Sequence, residues 1–272
     1  MAEPKDVLVY GEMIDGKLAS ITTELLGCAQ KLADELKEGV FCILLGSKLG
    51  EAPQSAIAYG ADKVYAVEDP LLAEYQNDSY VAVMEKAIKE ISPRIVLLGQ
   101  TSAGRDLAPR LAFRLGVIAV MDALELNVDP GTKLLQQTRS VYGGNARATF
   151  VSEAFPQITT VRQKAMTPLA PDAGRKGEIV PFKAELDAAK IRTKVTQTVK
   201  EEVAGIKLED AQIIVTGGRG IGGPEGFKQL EELAKALKAA GYDGTVTLEV
   251  FSQDTEYLAI SKRKFEEIWQ GA

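Results

Sequence analysis

The chain contains no histidine at all in 272 residues. That absence removes Ser-His-Asp and Cys-His nucleophile machinery and every His-ligated metal site. Only two cysteines are present, Cys28 and Cys42, so no disulfide framework exists. Cys28 falls on the apolar stripe of a helix and Cys42 inside an apolar strand, the positions of small core side chains. No stretch approaches the roughly 18 apolar residues of a membrane span. The first residues, Met-Ala-Glu-Pro-Lys-Asp, lack the basic start and apolar core of a signal peptide, which points to the cytoplasm. Charge of one sign is not in large excess: 38 acidic residues face 32 basic ones, and the net charge of −6 disfavours nonspecific nucleic-acid binding. Any chemistry must come from a cofactor, from carboxylates, or from Lys, Tyr and Arg.

What is present first is an alternation. Apolar runs at 7–10, 40–45, 63–67 and 94–98 read as strands. Between them, Leu18, Ile21, Leu25, Cys28, Leu32 and Leu36 recur at helical steps, with Gly39 as the stop. A short helix spans 52–59, and Val81, Met84, Ala87, Ile88 and Ile91 mark another, ended by Pro93. Continuous apolar strands alternating with amphipathic helices predict an α/β fold: a parallel sheet with helices on both faces. The loop Gly99-Gln-Thr-Ser-Ala-Gly104 then leads into a helix over about 105–115. Such a loop, at a strand's carboxyl end, is where open α/β sheets hold ligands. Arg105, Asp106 and Arg110 could equally form an ion-pair set.

After Gly116 the pattern changes. Segments 123–128, 134–139, 146–151 and 157–161 read as short strands with turns between, an antiparallel extension of the sheet. The Pro- and Gly-rich stretch 167–177 reads as a domain end. The organisation expected is an N-terminal domain over 1–183, a charged linker over 184–207, and a second domain over 208–272.

The second region opens on strand, glycine-rich turn, helix: Ala211-Gln-Ile-Ile-Val-Thr216, Gly217-Gly-Arg-Gly-Ile-Gly-Gly223, then Pro224-Glu-Gly-Phe227. Phe227, Leu230, Leu233 and Leu237 supply the helix's core face. Gly218, Gly220 and Gly223 satisfy G-x-G-x-x-G, a pattern that alone is weak. A dinucleotide fingerprint also wants an acidic residue about 20 residues on, at a strand end. Asp243 has the distance but lies in the turn Gly241-Tyr-Asp-Gly244. A turn of this kind can simply be tight. It can also expose backbone N–H groups at a helix start, where phosphate binds. Arg219 within it would pair with phosphates or an anionic ring. After Ala240 only 32 residues remain, fewer than a nucleotide-binding domain needs.

With these residues in place, 5 to about 238 resembles the α subunit of electron transfer flavoprotein. The likeness is carried by Asp6-Val-Leu-Val-Tyr-Gly-Glu12, Tyr59-Gly-Ala-Asp-Lys-Val-Tyr65, and Leu98-Gly-Gln-Thr-Ser-Ala-Gly-Arg-Asp-Leu-Ala-Pro-Arg-Leu-Ala112. Thr138-Arg-Ser-Val-Tyr-Gly-Gly-Asn-Ala146, Thr160-Val-Arg162 and Leu208 to Gly220 complete it. The resemblance implies a heterodimer with a β subunit, the first domain serving as scaffold and interface. It implies FAD held by the C-terminal domain, and electron traffic with acyl-CoA dehydrogenases or related partners. Of the family's FAD site, Gly217, Gly218, Arg219 and Gly220 carry over. The later parts of that site, a Ser-Arg pair, a Gln-Thr-Gly segment, a Gln-His turn and a terminal Asn and Asp, do not, so the site is read as incomplete.

Residues 239–272 instead resemble the last strand and helix of a xylose-isomerase-like sugar phosphate isomerase barrel. Glu249 matches the glutamate that such barrels carry on that strand. A junction near 235–241 is implied, and the tail is expected to pack as strand and helix in a truncated βαβα domain. Two other readings stay open: a non-redox module that binds a β-like subunit, and an NAD-binding enzyme using Gly218 to Gly223.

Overall fold

The computed structural model describes residues 3–198 and 224–241. The chain divides into two compact units, Met1–Thr196 and Gln197–Ala272. In the first unit β1 (Val7–Gly11) is buried along its whole length. A small hairpin follows, β2 (Met13–Ile14) and β3 (Lys17–Leu18), turning at Asp15 and Gly16. Then come α1 (Ser20–Leu36), β4 (Val40–Gly46), α2 (Ala52–Ala58), β5 (Lys63–Glu68), α3 (Asn77–Ile91), β6 (Ile95–Gly99) and α4 (Ser102–Leu115). The remainder is β7 (Ala119–Val128), β8 (Leu135–Val141), β9 (Ala146–Phe150), β10 (Gln157–Val161) and β11 (Glu178–Pro181).

These strands form a nine-stranded sheet in the order β11-β5-β4-β1-β6-β10-β7-β8-β9. From β11 to β7 every neighbouring pair is parallel; β8 and β9 add on antiparallel. The α/β class with a parallel sheet and an antiparallel extension is therefore observed. The chain works outward from β1 through β4 to β5, then returns to the other side of β1 with β6. The order reverses between β1 and β6, which makes a crevice at their carboxyl ends.

Two apolar layers cover the sheet. On one face Leu25, Leu26 and Leu32 of α1 meet Val7, Val9 and Leu97. On the other, Met84 of α3 and Leu107 and Leu111 of α4 meet Leu8, Val96 and Leu98. Strands sandwiched on both faces must be apolar throughout, which is why their sequence is a run rather than an alternation.

Several expectations need correction. Segment 157–161, assigned to the antiparallel extension, is an interior strand parallel to both β6 and β7. A short apolar run carries no direction. Direction comes from the clamps at its ends, where Gln157 N–H donates to Arg94 and Gln100 N–H donates to the Val161 carbonyl. Its buried threonines are satisfied, Thr159 by donating to the Val120 carbonyl and Thr160 by donating to Gln100 Oε1. Strand β7 begins at Ala119, not at 123, because Asp122 adopts φ 66° and the pairing register shifts there. Helix α1 ends before Gly39: Lys37 takes the left-handed position and its N–H closes on the Ala33 carbonyl. Helix α4 begins at Ser102, three residues before 105, because Thr101 caps it.

The Pro- and Gly-rich stretch does not leave the first unit. A Cβ on Gly27 would lie 2.4 Å from the Thr167 carbonyl, so only glycine admits this close crossing of α1. The chain then adds β11 at the sheet edge. Residues beyond 183 keep contact with the same unit. Ala184 is buried, Lys86 Nζ donates to the Lys183 carbonyl, and Arg192 pairs with Asp78.

In the second unit a 3-10 turn, Pro224–Gly226, opens α5 (Phe227–Ala239). Leu233, expected on the core face, is 49% exposed. Three residues at 100° each set it about 60° round the helix from Leu230, at the margin of the apolar stripe.

Candidate functional site

Gly217, Gly218, Arg219 and Gly220 lie outside the described residues, as do Gly223, Asp243 and Glu249. The described part of that motif is its exit. Pro224 leads a helical turn at the point where the glycines end, and Glu225 occupies that first turn. Proline suits the first helical turn because its missing N–H would be unsatisfied there anyway.

The second candidate, the loop after β6, is described in full. Thr101 caps α4 by accepting from Gly104 N–H at 3.0 Å. Its hydroxyl also donates to Glu12 Oε1 at 2.8 Å, tying the helix start to the end of β1. A Cβ on Gly104 would stand 1.9 Å from the Gly99 carbonyl, so the tight strand-to-helix turn requires glycine there. Glu12 is fixed at its backbone as well. Its N–H donates to Thr22 Oγ1, whose hydroxyl returns a bond to the Glu12 carbonyl. Burial raises the Glu12 carboxyl from 4.5 to about 7, against the opposing pull of the Thr101 hydroxyl.

Glu12 stands in a cleft of about 350 Å³ at the carboxyl ends of β1 and β4, with Ala103 of α4 on its wall. Tyr75 and Tyr80 form one side, their rings 4.9 Å apart. Tyr80 donates to the Leu72 carbonyl and Tyr75 to Asp106 Oδ2.

Arg105, Asp106 and Arg110 do not form one ion-pair set. Asp106 accepts from Tyr75 and Asn77. Arg110 turns to Asn77 and to Asp78, which also accepts from Arg192. These hydrogen bonds hold the Asp78 carboxyl well below the usual carboxylate range, the bonds from Arg192 contributing most. Arg105 donates its backbone N–H to the Thr101 carbonyl, but its guanidinium makes no hydrogen bond or ion pair among the described residues. It contributes instead to the field on Asp122.

Asp122 is the centre of a basic cluster at the carboxyl end of β10, where the register of β7 shifts beside it. Arg162 grips it with two bonds, Nε to Oδ1 at 2.9 Å and Nη2 to Oδ2 at 2.6 Å. Arg139 enters from β8, where its backbone pairs with Ala123. The hydrogen bonds of Arg162 hold the Asp122 carboxyl low, helped by the charges of Arg162, Arg139 and Arg105. Nε of Arg139 is buried without a hydrogen-bond partner.

Sequence reasoning singled out neither Glu12 nor Asp122 as a site. A signal existed for Glu12, since it directly follows the buried run 7–11 and so must sit at a strand's carboxyl end. None existed for Asp122, whose partners are brought together only by the strand order. Among the described residues no group of three or more His, Cys, Asp or Glu is arranged for a metal ion, and no helix is long and apolar enough to cross a membrane.

Residues 7–187 match the sequence model of the electron transfer flavoprotein domain, and 207–246 match that of the electron transfer flavoprotein FAD-binding domain. Among curated proteins, the electron transfer flavoprotein subunit alpha of Thermoanaerobacterium thermosaccharolyticum is 40% identical over 238 residues, covering 87% of this chain and 72% of the relative. That of Megasphaera elsdenii is 38% identical over 243 residues, covering 88% and 72%. That of Clostridium acetobutylicum is 36% identical over 239 residues, covering 87% and 71%.

Proposed function

The chain belongs to the family of electron transfer flavoprotein α subunits, and on that premise we propose that it acts as the α half of an α/β heterodimer that passes electrons through FAD. The donors in this reading are acyl-CoA dehydrogenases or related dehydrogenases, and the setting is the cytoplasm. The observation that carries the reading is the match of both family models, in order, along one chain.

We read the first region, 1–183, as the scaffold that meets the β subunit, 184–207 as the linker, whose start still packs on that region, and 208–272 as the part that holds the cofactor element. Exposed apolar groups at the far end of the sheet support a partner surface on the first region. Tyr142 at the hairpin tip is 84% exposed, and Phe150 at the other end of the edge strand and Val151 just after it are also open.

FAD fits the donor chemistry of the glycine turn. Backbone N–H groups of Gly217, Gly218 and Gly220 suit a pyrophosphate, and the Arg219 guanidinium suits phosphate or the anionic edge of the ring. A 3-10 turn, Pro224–Gly226, follows Gly223 in the chain and leads into α5 at Phe227, so the glycine motif directly precedes a helical start, where phosphate binds. Once bound, FAD supplies the one- and two-electron chemistry. The protein's part is to hold the phosphates and to set the charge beside the ring.

The FAD-binding match ends at residue 246, and the sequence after α5 departs from the family's pattern. We therefore read the FAD site as incomplete and its affinity as low. The stretch 239–272 reads as the end of an isomerase-like barrel, joined near 235–241. Its Glu249 lacks the histidine ligands of that family, since the chain has none, so its role here is structural.

Co-expression with a β subunit, followed by absorbance of the purified complex, tests the reading. A stable pair with well under one flavin per complex is the expected result. A yellow complex with stoichiometric FAD would overturn the incomplete site, and failure to pair would overturn the subunit role.

A further inference from the structure

An open sheet ends on two edge strands, and each presents backbone N–H and C=O groups that a further strand can take. The two edges of this sheet are built differently. At one, β11 pairs with β5, ends in Pro181 and carries Glu178 in an ion pair with Lys63 at 2.8 Å. Proline and charge on an edge guard it against pairing with another strand.

At the other edge, β9 pairs with β8 alone among the described residues. Its five residues, Ala-Arg-Ala-Thr-Phe, include no proline, lysine or acidic group, and four of them are exposed. Its register on β8 runs unbroken from Ala146 to Phe150, so no bulge twists it away. In an antiparallel pair every second residue turns its N–H and C=O away from the neighbouring strand. The outward groups of β9 make no hydrogen bond among the described residues. A flat, unguarded edge is a template for pairing unless something covers it.

The side chains select what covers it. Ala146, Ala148 and Phe150 lie on one face of β9, Arg147 and Thr149 on the other. Arg147 is exposed, and its guanidinium makes no hydrogen bond or ion pair among the described residues; its cross-strand neighbour is Ser140. Neither β8 nor β9 contains an acidic residue. The two of β7, Asp122 and Glu125, stand one strand further in and accept from Arg162 and Asn127. A second copy of this chain would add another Arg147 to the edge with no carboxylate to answer it. A strand that sets an acidic side chain against Arg147 and apolar ones against the alanines and Phe150 gains favourable cross-strand pairs.

We propose that β9 is the docking edge for an extended segment of the partner subunit, one that alternates acidic and apolar side chains and adds a strand to this sheet. The inference rests on the subunit role proposed above and names the surface that role uses.

Amide hydrogen exchange of the full chain, alone and co-expressed with a β subunit, tests this. In the complex, the amides of 146–150 that face away from β8 should exchange at least about tenfold more slowly than in the chain alone, while those of β11 should not slow. Arg147→Glu, at an exposed position, should weaken pairing by about tenfold or more, because like charge then meets like. Arg147→Lys keeps the charge and should stay near the native affinity. Intact pairing with the outward β9 amides unchanged, or Arg147→Glu pairing as tightly as the native chain, would overturn the docking edge and leave the subunit role standing. No pairing at all would overturn the subunit role and this inference with it. Slow exchange of the outward amides in the chain alone would assign the edge to a second copy where it grows with concentration, and to the chain's own second unit where it does not; either overturns the proposal.

Discussion

The carboxyl edge of one sheet carries two regions of opposite character, divided at β6. On the β1 and β4 side, Glu12 and Glu74 line a cleft whose one lysine among the described residues is Lys48. On the β10 and β7 side, Arg162, Arg139 and Arg105 surround the lone carboxylate of Asp122. Helix α4 starts between them. Its cap residue Thr101 bonds Glu12 on one side, and Arg105 in its first turn contributes to the field at Asp122 on the other. The topology therefore sets where groups can gather, and the individual side chains set the sign. A positively polarised helix start alone would favour anions at both places; on the acidic side the carboxylates override it.

If α4's start is the hinge of this arrangement, damage there should harm both regions. Gly104→Ala places a methyl 1.9 Å from the Gly99 carbonyl, which is backbone and cannot swing aside. A loss of about 3 kcal/mol or more is expected, the scale of a severe steric conflict. Chemical denaturation of the variant measures it; a change under about 1 kcal/mol would mean that the two regions do not depend on this turn.

The next effect separates the two regions by pH. Burial raises Glu12 from 4.5 to about 7, so between those values the folded state holds a proton that the unfolded chain releases. Stability from this group is present below about 4.5 and is lost as pH rises toward 7. At 1.36 kcal/mol per unit the full loss is on the order of 3 kcal/mol. Asp122 has the opposite sign: its lowered pKa adds stability that disappears as pH falls through the acid range. Denaturant midpoints measured from pH 4.5 to 7.5 should show the decline in the native protein and its removal in Glu12→Gln. An unchanged slope in that variant would assign the decline elsewhere.

Much of the parallel core was legible because sandwiched strands leave an unmistakable apolar run, as at 7–10 and 40–45. The place of β10 was not, since a run such as 157–161 fits an edge or an interior equally. Neither was β11, where Glu178 to Pro181 is a short, mostly exposed edge strand ending in proline and paired with β5 alone. The candidate sites divide along the same line. The loop 99–104 announced itself by glycine and capping residues in sequence. The Asp122 cluster joins residues 105, 122, 139 and 162, and no local pattern spans that distance. The glycine turn at 217–220 is the reverse case, a motif plain in sequence whose geometry falls outside the described residues.

The smallest effect tests whether Asp122 is held by charge or by backbone. It sits at φ 66°, a conformation that costs an ordinary side chain roughly 1 to 2 kcal/mol and glycine nearly nothing. Its pair with Arg162 is partly open to solvent, the side chains being 44% and 24% exposed, so the ionic contribution is discounted to about 1 kcal/mol or less. Asp122→Ala loses the pair and keeps the strain, and should cost about 1 kcal/mol. Asp122→Gly loses the pair and releases the strain, and should come out near neutral. Urea denaturation of the two variants decides between the causes. Equal losses would mean that the arginine-rich region depends on the carboxylate alone. A glycine variant as stable as the native protein would mean that the bulge in β7 is a steric feature, on which the ion pair was later built.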